Sequence, residues 1–81
     1  MTSWEVFRDA LLSVPSAISY TTSGIVSRIR RRTKYGRATV VRYLRLALEL
    51  GVMTLRGSGR EARWSFAQNG RMVLRGTTSL P

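Results

Sequence analysis

The sequence predicts a small α+β domain, three helices followed by a two- or three-stranded antiparallel β hairpin. Three observations carry the prediction. Residues 36–51 place apolar side chains at helical spacing, and residues 2–14 do the same. After Gly51 the apolar period falls to two, the period of a strand. With 81 residues, 43% of them hydrophobic, the chain has material for one core and one domain. That domain is expected to span residues 1–75, with 76–81 as a small, polar, flexible C-terminal tail.

Thr2-Ser3-Trp4-Glu5 fits a capping box with Thr2 as N-cap. Trp4, Phe7, Leu11 and Val14 follow at helical intervals. The first helix should end near Ser13, because Pro15 disfavours helical geometry at Val14. Glu5 and Asp9 lie i, i+4 near the positive start of this helix, where carboxylates are stable as solvated surface. Residues 16–20, with Ala17, Ile18 and Tyr20, read as an extended connector or a short strand. Thr21, Thr22 and Ser23 are N-cap types, and Ile25, Val26 and Ile29 recur helically, so a second helix is expected at 23–32. Residues 33–36 make a tight turn in which Tyr35 anchors to the core. The third helix, 37–50, buries Val40, Leu44, Ala47 and Leu48, with Tyr43 and Leu50 at the margins. Ala38, Arg42, Arg45 and Glu49 lie opposite, and Gly51 supplies the left-handed residue that commonly ends a helix.

Residues 52–56 are strand-like, with Met53 and Leu55 on one side. Gly57-Ser58-Gly59-Arg60 is a turn, and residues 63–66 resume alternation with Trp64 and Phe66 on one face. Their shared face favours covering the core over stacking on unpaired bases. Asn69-Gly70 is the strongest two-residue hairpin signal, so residues 71–75 are expected to return as a third strand.

The composition excludes several chemistries. There is no Cys and no His, so thiolate metal sites, disulfides, thiol catalysis and imidazole bases are absent. The four acids do not cluster. An enzyme is not expected, nor a cofactor, a metal or a small-molecule effector. No run reaches the roughly 18 apolar residues of a membrane span. Met1-Thr2-Ser3-Trp4-Glu5 does not read as a signal peptide, so a cytoplasmic, nucleoid-associated location without membrane contact is expected. The charge points elsewhere: thirteen Arg and the single Lys34 oppose four acids, net +10. Arg28, Arg30, Arg31, Arg32, Lys34 and Arg37 fall within ten residues with no acid among them. Offsetting a helix dipole needs one or two cations. The rest call for an anion, and nucleic acid is the commonest polyanion that a basic domain meets.

Helix, short strand, helix, turn, helix and glycine-tipped hairpin together resemble the winged helix-turn-helix superfamily. The residues resemble it too. Thr33-Lys34-Tyr35-Gly36-Arg37-Ala38-Thr39-Val40 is similar to the turn and start of a recognition helix. Arg42-Tyr43-Leu44 and Leu48-Glu49-Leu50-Gly51-Val52 are similar to its second half. Gly57-Ser58-Gly59-Arg60 resembles a wing tip and Ala62-Arg63-Trp64-Ser65-Phe66 the return strand. Three departures stand out. Lys34 replaces a customary Gly, Gly36 a customary Ser, and Arg30 a small apolar residue if the turn has ordinary length. Either the turn is longer and Val26 fills that place, or Arg30 is forced outward.

The resemblance implies a double-stranded DNA-binding protein, a sequence-specific transcriptional regulator with helix 37–50 in the major groove. Arg37, Ala38, Thr39, Val41, Arg42 and Arg45 would then read bases. Arg42 would fork to a guanine, and Ala38 or Val41 would touch a thymine methyl. Arg28, Arg31, Arg32, Lys34 and Gly36 would hold the phosphate backbone. Arg56, Ser58, Arg60 and Arg63 would form the wing contact on flanking backbone or minor groove. A homodimer is expected, using apolar surface from Trp4 and Leu12, from Leu46, or from Met72 and Leu74. The alternative readings are a winged-helix protein-interaction or assembly module, and a non-specific nucleic-acid binder of nucleoid or RNA.

Overall fold

The computed structural model describes residues 2–77. Its elements run α1 (Ser3–Leu12), β1 (Tyr20–Thr21), α2 (Thr22–Arg30), α3 (Arg37–Glu49), β2 (Met53–Arg56), β3 (Arg63–Phe66) and α4 (Gly70–Gly76). The three strands form one antiparallel sheet in the order β1-β3-β2.

The helices begin where the sequence places caps. The Thr2 hydroxyl accepts from the Glu5 amide and donates to its carboxylate, both at 3.2 Å. Thr21 accepts from the Gly24 amide at 3.0 Å, so α2 starts one residue before the expected Ser23 and ends at Arg30 rather than Arg32. The α2–α3 connection is therefore six residues, 31–36. Val26 is buried within α2 while Arg30 stays exposed. The longer turn and the outward Arg30 occur together. The Arg30 Nε donates to the Tyr35 carbonyl at 3.1 Å, and the Tyr35 hydroxyl donates to the Ser3 carbonyl at 2.8 Å. That places Tyr35 as the anchor of the turn.

The inner sides of α1, α2 and α3 close over one core. Phe7, Leu11, Ile25, Ile29, Val40 and Leu44 are fully enclosed there. Trp4, Phe7, Tyr35 and Tyr43 form a chain of rings with centroids 5.2–5.9 Å apart, joining α1 to α3. Aromatic pairs at this spacing add to the burial term. Gly51 ends α3 at φ +77° as expected.

β2 and β3 make the hairpin, in the register Met53↔Phe66, Thr54↔Ser65, Leu55↔Trp64 and Arg56↔Arg63. Met53 and Trp64 are buried and Phe66 packs beside them, the covering role expected. The Trp64 Nε1 donates to the Thr22 hydroxyl at 2.9 Å. Leu55 shares that face, yet near the hairpin tip it remains 39% exposed.

The expected third strand at 71–75 is overturned: these residues form α4. A two-residue hairpin of the primed type needs positive φ at both central residues. Asn69 has it, at φ 62°, but Gly70 does not. One left-handed residue turns the chain off β3 and Gly70 starts a helix. At helical spacing Gly70 and Leu74 both face inward, and Met72 is left 71% exposed. The third strand of the sheet is β1 instead, where Tyr20 pairs with Trp64 and Thr21 with Arg63. Only the last residue of the expected 16–20 segment takes part.

α4 is held to α1 at both ends. The Arg71 guanidinium donates to the Val14 carbonyl at 3.1 Å and the Leu12 carbonyl at 2.7 Å. At the other end the Trp4 Nε1 donates to the Thr77 hydroxyl at 2.8 Å. Of the expected tail 76–81, Gly76 closes α4 and Thr77 is packed in this way, while 78–81 lie outside the described residues. Trp4 and Leu74 are buried within this chain, so they are not the pairing surface expected of them. Among the described residues no helix is long and apolar enough to cross a membrane.

Candidate functional site

The outer side of α3 carries the most distinctive surface. Burying Val40, Leu44 and Ala47 turns the residues half a turn away outward. Arg37, Ala38, Val41, Arg42, Arg45, Leu46 and Glu49 line a shallow groove there, and Thr22 from the start of α2 closes one wall. Arg37, Ala38, Arg42 and Arg45 are exposed, while Val41 and Leu46 are half-buried and give the groove an apolar floor. Five of the six residues expected to read bases are thus together. Thr39 is not: it is half-buried and does not line the groove. Glu49 closes the far end, one turn beyond Arg45.

The residues expected to hold a backbone divide. Gly36 is the exposed N-cap of α3, and Lys34 is exposed just before it. Arg30, Arg31 and Lys34 border a second shallow depression with Ser27, Thr33 and Tyr35. Arg28, Arg31 and Arg32 line a separate cleft with Ser13 and Val14, at the C-terminal ends of α1 and α2. The structure brings none of Arg28, Arg31, Arg32 and Lys34 into the α3 groove.

At the hairpin tip Ser58 lies between Gly57 at φ +78° and Gly59 at φ +58°, and Arg60 follows in a short 3-10 turn, Gly59–Glu61; both Ser58 and Arg60 are exposed. Just inside it, Arg56 and Arg63 stand directly opposite across the two strands. Like charges in that position are destabilising unless an anion comes between them.

Few of the cations are neutralised by the protein. Among the described residues the ion pair is Arg8–Asp9, at 3.1 Å. Arg8 also donates to the Thr77 carbonyl at 2.8 Å, and Arg71 to α1 as described. Those two arginines belong to the fold. The adjacent Asp9 marks Arg8 in the sequence, but nothing in the neighbourhood of Arg71 separates it from the exposed arginines, since its partners are distant carbonyls. Thr22 was legible only as a cap type; its place on the groove wall depends on how α2 packs against α3. Arg37, Arg42 and Arg45 make no side-chain hydrogen bond among the described residues. Their planar forks are free to clasp oxyanions or paired ring acceptors. No group of three or more His, Cys, Asp or Glu among the described residues could hold a metal ion.

No family model matches the chain, and neither a curated protein nor a solved structure matches it.

Proposed function

We propose that this chain is a winged helix-turn-helix domain that binds double-stranded DNA, with α3 in the major groove and the β2–β3 hairpin as the wing on flanking phosphates or the minor groove. We further propose that it acts as a sequence-specific transcriptional regulator. The observation that carries the reading is the outer side of α3: three unpaired guanidinia around an apolar floor of Val41 and Leu46. A major groove admits one helix and offers guanine acceptors and thymine methyls to such a face. The element order and the opposed Arg56 and Arg63 support it. The positive N-terminal end of α2, beside Thr22, suits a phosphate at the groove wall.

Selection of sites from random duplexes tests it. A preferred site bound at least about tenfold more tightly than random DNA is expected, and a smaller ratio favours the non-specific reading. With about five phosphates neutralised, log K should fall with log salt at a slope near −4 to −5, and a slope shallower than about −1.5 contradicts the basic face as the binding surface. The apolar floor also suits an amphipathic acidic helix. Binding of an acidic protein partner without duplex binding at low salt would establish that second reading instead.

A further inference from the structure

The cleft at the ends of α1 and α2 holds cations that make no side-chain hydrogen bond among the described residues and do not line the α3 groove. Arg28, Arg31 and Arg32 border it, with Ser13 and Val14. Arg32 also lies beside Val6, Asp9 and Ala10 on the surface of α1. α1 packs against the inner side of α3 through Trp4, Phe7 and Tyr43, whereas the groove is on the outer side. α2 connects the two places. Thr22 at its start is in the groove wall, and its last residue, Arg30, is about 12 Å further along at 1.5 Å per residue.

The helix ends do not require these cations. The carbonyls of Leu12, the last residue of α1, and of Val14 just beyond it already accept from Arg71. At the end of α2, the Ser27, Ile29 and Arg30 carbonyls accept from the backbone amides of Arg31, Arg32 and Thr33. The acid nearest by, Asp9, is paired with Arg8. Arg28, Arg31 and Arg32 make no side-chain hydrogen bond among the described residues, and all three are exposed. The Arg28 guanidinium stands over the Tyr20 ring, 5.0 Å from its centroid. Stacking of that kind holds the fork while leaving its in-plane N–H groups open. Three open forks within five residues, Arg28 alone of them held by a ring, suit successive phosphates rather than a single carboxylate.

We infer that Arg28, Arg31 and Arg32 form a second phosphate-binding surface that takes a second duplex segment, so that one chain bridges two. The inference rests on duplex binding by α3, as proposed above. Arg28, Arg31 and Arg32 line no part of the α3 groove and stand instead with Ser13 and Val14 at the ends of α1 and α2, which is why the occupant is a separate segment.

A bead-tethered duplex and a free fluorescent duplex test it, together with the combined variant Arg28→Gln, Arg31→Gln, Arg32→Gln. The unmodified chain should capture the fluorescent duplex on the beads. The variant should lose capture at least about tenfold, yet bind one short duplex within about threefold and with an unchanged salt slope. A slope made shallower by about two or more would mean that the three residues touch the first duplex, and would overturn the inference. Capture that survives in the variant, for example through dimers of the chain, overturns it alone. Failure of the unmodified chain to bind any duplex overturns the proposed function and this inference together.

Discussion

Replacing Gly70 with alanine is expected to destabilise the domain by about 3 kcal/mol, at the upper end of overpacking costs. A Cβ built on Gly70 would stand 2.1 Å from the Val52 carbonyl oxygen and 3.1 Å from its carbon. The obstacle is backbone, and that oxygen already accepts from the Ala67 amide at 3.0 Å. Neither side can yield cheaply. α4 would have to retreat from the sheet, withdrawing Leu74 from the core and pulling Arg71 from the end of α1. Small domains hold only about 5–15 kcal/mol in all, so the loss is a large fraction. Urea unfolding followed by circular dichroism measures it. Gly76→Ala, at the other end of α4 with nothing within 4 Å, is the control and should change stability little. A Gly70→Ala loss below about 0.5 kcal/mol, the range of an ordinary surface change, would contradict this packing of α4.

The same region shows where the sequence stopped being legible. α1, α3 and the hairpin follow from spacing and caps, because each buries a stripe or face of its own period. α4 does not. Met72-Val73-Leu74 is consistent with a strand or a helix, and Asn69-Gly70 tipped the reading toward a hairpin. What decides the matter is tertiary: a close approach to Val52 that only glycine permits, and the Leu12 and Val14 carbonyls at the end of α1 within reach of Arg71. β1 was half-legible for a similar reason, since two residues form a strand only because β3 lies beside them. On the candidate site, the outer face of α3 was readable from helical period. The separation of Arg28 and Arg32 from that face was not, because the direction in which α2 presents them depends on how it packs on α1.

The second large effect is expected on binding. Arg42→Ala and Arg45→Ala should each weaken duplex binding by about 1–3 kcal/mol, the worth of a good forked contact to a base. The combined reversal Arg42→Glu, Arg45→Glu should weaken it at least about a hundredfold, since each 1.4 kcal/mol is tenfold and two new repulsions are added. Stability should stay within about 0.5 kcal/mol, because both residues are exposed and neither bonds to the protein. Arg71→Met should behave in the opposite way. It should cost about 2 kcal/mol of stability, through two lost charge-assisted hydrogen bonds, and leave the α3 surface intact. Fluorescence anisotropy with a labelled duplex, beside denaturant melts of the same proteins, separates the two patterns. Equal binding by the reversed variant would remove the α3 face from the mechanism.

The central claim is that the outer side of α3 is the surface that meets duplex DNA. Backbone amide resonances followed while a short duplex is added test it most directly. The largest shifts are expected at residues 37–46, at Thr22 and across 56–63. Shifts concentrated on α4 and the 15–19 connector, with the outer side of α3 unmoved, would contradict it.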